Sequence, residues 1–306
     1  DQKQWESFNL THNGQQLVFN TPGEIVIDNR NPNWKWIPLC RDNTGIILLD
    51  DQGTPLHPND DRMTYRTQWV DQNGKQIRPR EIHSMAQDLD GTLWIGTDEG
   101  IFLIPSTVDF ASSDRCERVI IGRNDGTQLG DYLLENEKIQ SIVVDGANRK
   151  WIGTATSGVF LLSEDGEETI EHFTTENSPL LSNTILSIAI QKSTGEVFIG
   201  TGDGLISYMS DAVPAEEDFS QIYAYPNPVH PNYRGYVVIK GLMADTEVRI
   251  VDASGNLLKT LEGLGGEVVW DMTNAMGARV ASGVYTAICN TKDGSAYGTT
   301  KILVIN

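Results

Sequence analysis

A short segment recurs along the first two thirds of the chain, and it restricts the fold more than any other feature. It reads Ser84-Met85-Ala86-Gln87-Asp88-Leu89-Asp90-Gly91-Thr92-Leu93-Trp94-Ile95-Gly96-Thr97, followed by Gly100-Ile101-Phe102-Leu103. It recurs as Ser141-Ile142-Val143-Val144, a turn at Asp145-Gly146, Trp151-Ile152-Gly153-Thr154 and Gly158-Val159-Phe160-Leu161-Leu162. A further copy runs Ser187-Ile188-Ala189-Ile190, a turn around Ser193-Thr194-Gly195, Phe198-Ile199-Gly200-Thr201 and Gly204-Leu205-Ile206. A weaker copy comes earlier, with Trp36-Ile37 and then Thr44-Gly45-Ile46-Ile47-Leu48-Leu49, where Pro38 stands in place of the glycine. The aromatic positions Trp36, Trp94, Trp151 and Phe198 are 58, 57 and 47 residues apart.

Long amphipathic helical patterns are missing. Each copy alternates short runs rich in Val, Ile and aromatics with Gly, Asn and Asp, the pattern of strands joined by tight turns. The copies read as strand, hairpin, strand, hairpin, strand. A more variable fourth strand follows, such as Arg118-Val119-Ile120-Ile121 or Thr169-Ile170-Glu171-His172-Phe173. Four short antiparallel strands at a period of ~40–50 residues mark a β-propeller blade. The aromatic is expected to wedge between adjacent blades, where a large flat side chain fills the gap. Gly96, Gly153 and Gly200 are expected to let neighbouring backbone approach, and Gly100, Gly158 and Gly204 to supply the turn.

These boxes resemble the two-component-regulator propeller repeat, which is common in extracellular parts of Bacteroidetes proteins. The resemblance covers roughly residues 24–210. Propellers close with ~4–8 blades, and those of this family usually with more than four. The resemblance therefore implies that part of a ring is not contained in the chain. The segment Trp5-Glu6-Ser7-Phe8-Asn9-Leu10 reads either as the outer strand of a preceding blade or as a closure strand. In the second case it would complete the last blade, which lacks its own fourth strand after Tyr208.

An acidic linker, Asp211 to Asp218, separates the repeats from a different pattern. That pattern opens on Tyr225-Pro226-Asn227-Pro228, whose prolines forbid continuation of a central strand. Strand candidates follow at Tyr236–Lys240, Glu247–Asp252, Leu257–Leu261, Glu267–Trp270, Gly283–Cys289 and Lys301–Ile305, with turn residues between them. About seven short strands in fewer than ~90 residues imply a small β-sandwich of Ig-like size. The expected architecture is all-β: a propeller region over residues 1–218 and an Ig-like sandwich over 219–306.

In the second unit Tyr225-Pro226-Asn227-Pro228, Val251-Asp252-Ala253-Ser254-Gly255, Val269-Trp270-Asp271, Gly277, Ala281-Ser282-Gly283-Val284-Tyr285 and Lys301-Ile302-Leu303-Val304 appear in order. That succession resembles the type A sorting domain of the type IX secretion system. The resemblance implies export through the outer membrane to the cell surface. The sorting-signal residues it implies are Tyr225, Pro226, Asn227, Pro228, Gly283, Val284, Tyr285 and Lys301. In that family, sortase-type processing usually removes the domain and links the cargo to lipopolysaccharide. A propeller joined to such a domain also resembles an accessory of the attachment machinery that keeps its C-terminal domain. The partners implied are secretion and sortase components, with lipopolysaccharide or other glycans.

Charge supports the division. The chain holds 42 acids and 23 bases, a net charge of −19. Residues 219–306 carry seven of each, so the whole excess belongs to the first 218 residues. Such a balance disfavours nucleic acid and anionic membrane surfaces, which demand basic patches. No apolar run approaches the ~20 residues that span a bilayer. The chain opens without an initiator Met or a signal peptide, as a processed or excised form would.

Few residues suggest chemistry. Cys40, Cys116 and Cys289 lie far apart and form no CxxC pair. Asp88-x-Asp90-Gly91 resembles the start of a calcium loop, but no bidentate Glu stands at the twelfth position, so a turn is expected and no metal site. Gly200-x-Gly202-x-Gly204 lies between two strands and opens no helix, which excludes a dinucleotide loop. The five histidines, His12, His57, His83, His172 and His230, sit in no HExxH or nucleophile-elbow context. Trp5, Trp34, Trp69 and Tyr132 lie outside the repeat positions and are candidates for a sugar-stacking surface, with core packing favoured. The expectation is a surface protein with no catalytic residue and no cofactor, working through protein or glycan contacts. The alternatives are a propeller hydrolase or lyase, with acids ~5–10 Å apart at the propeller mouth, and a ligand-sensing propeller.

Overall fold

A computed structural model describes residues 11–12, 15–16, 21–41, 43–54, 56–57, 59–123, 126–127 and 129–306. The segment Trp5 to Leu10 lies outside the described residues. All regular elements among them are strands. The chain divides into two compact units. One comprises Asp1–Val144, Arg149–Ala189 and Phe198–Ile206; the other Asp145–Asn148, Ile190–Val197 and Ser207–Asn306.

The first strands, β1 (Thr11–His12) and β2 (Gln15–Gln16), form a short ladder. Blade one is an antiparallel sheet of β3 (Val26–Ile27), β4 (Trp34–Leu39), β5 (Gly45–Asp50) and β6 (Arg62–Arg66). A hairpin of β7 (Trp69–Val70) and β8 (Gln76–Ile77) follows. Blade two is built from β9 (Ile82–Gln87), β10 (Leu93–Thr97) and β11 (Gly100–Ile104). After the hairpin of β12 (Ile120–Gly122) and β13 (Gly130–Tyr132), blade three comprises β14 (Ile139–Val144), β15 (Lys150–Thr154), β16 (Val159–Leu162) and β17 (Thr169–Phe173). Blade four has three strands, β18 (Ile185–Gln191), β19 (Glu196–Thr201) and β20 (Gly204–Met209). These antiparallel blades are the propeller expected from the repeat.

One expected element differs. Thr169–Phe173 is the fourth strand of blade three, but Arg118–Ile121 is not the fourth strand of blade two. Glu117 makes a single bridge to Leu103, after which Ile120–Gly122 turns away to pair with Gly130–Tyr132. The side chain of Gln72 takes both backbone groups of Arg118, at 3.0 and 2.7 Å, which diverts them from the blade ladder.

Register explains how blades adhere. In blade two Trp94 lies opposite Ala86 and Leu103, and Gly96 opposite Ser84 and Ile101, so one face carries Trp94, Ile101 and Leu103. That face shares a core with Ile139, Ile142, Ile152 and Leu162 of blade three. The back of blade one, with Trp36, Ile46 and Leu48, meets Ile82, Met85, Leu93 and Ile95 in the same manner. Burial of each such side chain stabilises by ~1.5–3 kcal/mol.

The second unit contains seven more strands: β21 (Tyr223–Tyr225), β22 (Val237–Lys240), β23 (Thr246–Val251), β24 (Leu257–Glu262), β25 (Glu267–Trp270), β26 (Gly283–Thr291) and β27 (Tyr297–Val304). They form two antiparallel sheets, ordered β21-β22-β25 and β24-β23-β26-β27. Alternating apolar residues from both sheets, among them Val237, Ile239, Val248, Ile250, Trp270, Ala287 and Ile302, meet in one core. The acidic segment 211–218 is tied down at two points. The backbone N–H of Gly266 donates to Val213 at 2.8 Å, and that of Glu216 donates to Leu242 at 2.8 Å.

Candidate functional site

In the first unit a charged cluster draws one residue from each of three successive blades. Arg41 follows β4, Glu81 precedes β9 and Lys138 precedes β14. The Glu81 carboxylate lies 3.1 Å from Arg41 Nε, 3.1 Å from Lys138 Nζ and 3.1 Å from His83 Nε2. Beside it, Asp98 accepts the Glu81 backbone N–H, and Arg80 pairs with both Asp98 and Glu99. The hydrogen bond from Lys138 is the main cause that holds the Glu81 carboxyl below its usual range, aided by the charges of Lys138, Arg41 and His83. Burial, then the Lys138 charge, pushes His83 down. Its Nε2 has no aligned hydrogen-bond partner.

The Glu81 carboxylate is held ionised between cations. A general acid needs a carboxyl raised towards neutral pH, and Glu81 is shifted the other way. Asp61 is raised, by burial and by its neighbours Asp60 and Asp51. It does not line the cavity of about 190 Å³ enclosed by Trp34, Trp36, Leu48, Leu93, Phe110 and neighbours.

The aromatic candidates separate by burial. Trp69 is fully buried and packs on Phe102 at 4.9 Å, Tyr132 is stacked under the Arg118 guanidinium at 3.6 Å, and Trp34 lines the cavity. Trp5 lies outside the described residues. The Asp88 carboxylate is committed to a turn. It accepts the N–H groups of Asp90, Thr92 and the Trp94 indole at 3.1, 2.8 and 2.9 Å. Cys40, Cys116 and Cys289 are free thiols, and burial pushes Cys116 and Cys289 up to about 12.

The repeat residues show why the box has its composition. Trp36, Trp94 and Trp151 are buried, whereas Phe198 is half-buried. A Cβ on Gly96 would lie 2.6 Å from Ile139, and one on Gly153 would lie 2.5 Å from Ile185. These glycines are therefore sockets for an isoleucine of the following blade. At Gly200 the contact is with Ser187 of its own blade, at 2.8 Å. The threonine after each glycine was not singled out from the sequence. Thr97, Thr154 and Thr201 each donate a hydroxyl proton to the carbonyl of Gly100, Gly158 or Gly204 at 2.9 Å, closing the hairpin. Its recurrence in the three clearest copies was the available signal.

In the second unit the motif residues, scattered over almost eighty positions, converge on β26 and β27. Tyr225-Pro226 and Asn227-Pro228 are cis peptides, and the turn they form lies along β27. The Asn227 carboxamide donates Nδ2 to the Lys301 carbonyl at 2.7 Å and accepts the Leu303 N–H at 3.0 Å. Val229 continues the contact, donating to Leu303 and accepting from Ile305. Across the ladder Gly283, Val284, Tyr285 and Thr286 pair with Val304, Leu303, Ile302 and Lys301. Tyr285 is buried edge-on to Trp270 at 5.5 Å, and its hydroxyl donates to Ala281 at 2.7 Å. Tyr225 and Val284 remain exposed, and Lys240 pairs with Glu267 at 2.8 Å beneath the Tyr225 ring. Nothing in the structure explains a requirement for glycine at position 283.

No metal-competent group of three or more His, Cys, Asp or Glu side chains occurs among the described residues. No helix among them is long and apolar enough to cross a membrane.

No family model matches the chain, and no curated protein does. Among solved structures it is similar to PorZ, an essential bacterial surface component of the type IX secretion system of Porphyromonas gingivalis. That match has 34% identity and a TM-score of 0.59 over 94% of this chain and 39% of that one. It also matches the extracellular domain of a putative hybrid two-component system from B. thetaiotaomicron, with 13% identity and a TM-score of 0.40 over 97% of this chain and 52% of the other. The β-propeller domain of Myceliophteria thermophila Swd1 matches with 10% identity and a TM-score of 0.34 over 90% and 95%. The chain thus spans about two fifths of the PorZ structure, and it is similar to PorZ over nearly all its own length.

Proposed function

We propose that this chain belongs to a cell-surface accessory of the type IX secretion system and works by contact, without catalysis. The observation that carries the reading is the 34% identity to PorZ across 94% of the chain, which runs through both units. Residues 219–306 are the sorting unit on this reading, and the propeller region of residues 1–218 is a docking body. Sortase and secretion components are its partners, with lipopolysaccharide or another glycan as a further ligand. The Glu81 cluster supports a binding role, because its carboxylate is held ionised between cations.

Deletion of the gene tests the reading. An accessory predicts that many different secreted proteins lose surface attachment together. Loss of one hydrolytic or lyase activity, with other cargo still attached, would mark the protein as an exported enzyme and overturn the proposal. Removing residues 219–306 should also abolish surface localisation; persistence at the surface would contradict the sorting assignment.

A further inference from the structure

Blades one and two enclose the cavity of about 190 Å³ between them. Its floor is one face of blade one. Strand register sets Trp34, Asp50 and Arg62 in one row and Trp36, Leu48 and Thr64 in the next, and rows two residues apart share a face. The opposite wall comes from Leu93 and Ile104, paired across β10 and β11 of blade two. The turn after β11 closes the remaining side with Phe110, whose ring meets Trp36 edge-on at 5.1 Å. Blade one holds that turn at two points. The Arg30 guanidinium donates to the Ser106 carbonyl at 2.8 Å, and that of Arg66 donates to the Phe110 carbonyl at 2.9 Å. The cavity is therefore preformed.

The next interface shows what fills the corresponding space elsewhere. Lys150 stands one residue before Trp151, as Leu93 stands one residue before Trp94. The Lys150 side chain lies over the Trp94 ring, 4.8 Å from its centre, whereas the shorter Leu93 leaves the room beside Trp36 open.

An apolar cavity of ~150 Å³ stays dry and takes benzene, so this one has room for one or two rings. Walls of Trp34, Trp36 and Phe110 favour a flat aromatic ligand. The rim selects its head group. Arg30, Asp50, Arg62 and Asp109 are the charged side chains that line the cavity, and all but Arg62 are engaged. Arg30 lies 3.6 Å from Asp28, and Asp50 accepts the Gln52 N–H at 3.0 Å. Asp109 accepts the Ala111 N–H at 3.0 Å and the Ser112 hydroxyl at 2.6 Å. The Arg62 guanidinium makes no hydrogen bond or ion pair among the described residues. Its planar fork matches a carboxylate with two parallel hydrogen bonds.

We propose that this cavity binds a small aromatic carboxylate, with the ring among Trp34, Trp36 and Phe110 and the carboxylate on Arg62. Both blades supply walls, so the ligand braces one against the other. The site depends neither on the sorting assignment nor on the Glu81 cluster.

Isothermal titration of the full chain with indole-3-acetate tests this, with tryptamine as the same ring carrying a cation. Indole-3-acetate should bind with a Kd below about 1 mM and at least about tenfold more tightly than tryptamine. It should also raise the thermal midpoint of the first unit, because it binds only the folded state. Arg62→Gln, at an exposed position, should weaken the acid about tenfold and bring the two ligands to within about threefold of each other. Thr64→Phe places a ring inside the cavity and should abolish binding of both. A wild type that binds no indole-3-acetate up to about 5 mM overturns the proposal. So do equal affinities for acid and amine, or an Arg62→Gln variant that binds the acid as the wild type does. A folded Thr64→Phe variant that still binds would place the ligand elsewhere and overturn it as well.

Discussion

Asn227 stands in for a peptide unit. Its carboxamide offers a donor and an acceptor at the spacing of a backbone amide, and both engage β27, at Lys301 and Leu303. Aspartate has nearly the same shape but no donor, and it would set a carboxylate oxygen against the Lys301 carbonyl. Asn227→Asp should therefore lower stability by about 1–2 kcal/mol, one exposed hydrogen bond plus a repulsion. Thermal unfolding measures this, and an unchanged midpoint would refute the assignment. The glycines permit a paired comparison. In Gly153→Ala the new methyl meets Ile185 at 2.5 Å within a packed interface, and the expected cost is about 1–3 kcal/mol. In Gly200→Ala the obstacle is the rotatable Ser187 hydroxyl at 2.8 Å, and the change should stay within ~0.5 kcal/mol. Equal costs at the two sites would mean that the socket does not depend on the following blade.

Blades are also joined by a cation that changes owner between interfaces, buried in one and exposed in the other. Between blades two and three it is Lys150. Its fully buried ammonium lies 3.4 Å from Asp88 and 4.8 Å from the Trp94 ring centre, and it donates to the Glu164 carbonyl. Between blades one and two the residue equivalent to Lys150 is Leu93. There Arg30 reaches across from the other blade, lying 3.6 Å from Asp28 and donating to the Ser106 carbonyl at 2.8 Å. Lys150→Met keeps the side-chain volume but removes the charge facing Asp88. It should cost about 3 kcal/mol, the usual penalty for breaking a buried pair. A loss below ~1 kcal/mol, the range of a surface pair, would show that the contact is incidental. The Glu81 cluster joins three blades in a pH-dependent way. Its carboxyl is held below the ordinary 4.5, so its stabilisation is complete above that pH and disappears as pH falls through the lowered value. Glu81→Gln should accordingly destabilise at pH ~6 and converge on the wild type once the pH has fallen below the lowered value. Parallel curves for the two proteins across that range would contradict the shift.

Across the whole molecule, much of the architecture was legible before any coordinates. The aromatic spacing located the blades, and the six strand runs read after residue 219 fall on β22 to β27 to within a few residues, whereas β21 was not among them. Such periodic signals are local. The unread parts depend on distant partners. The side chain of Gln72 diverts Arg118 from the expected blade strand, and Asn227 is recognisable as a register pin only beside Lys301. The exchange of Arg30 for Lys150 requires both interfaces to be compared. The two units also differ in what holds them. The core of the second draws only on residues between Phe219 and Val304, and the cores around Trp36 and Trp94 draw only on residues from Val26 to Leu162. Each core is expected to respond to its own substitutions, and heating to give two transitions. Ile250→Ala and Ile152→Ala both truncate fully buried residues and should each cost about 2–5 kcal/mol. In a unit of ~100 residues that loss lowers the midpoint by roughly 8 °C or more, and by less in a larger one. Calorimetry should show Ile250→Ala moving one transition and Ile152→Ala the other. A single transition displaced by either substitution would mean that the units unfold as one and that the second unit cannot be treated as a separate fold.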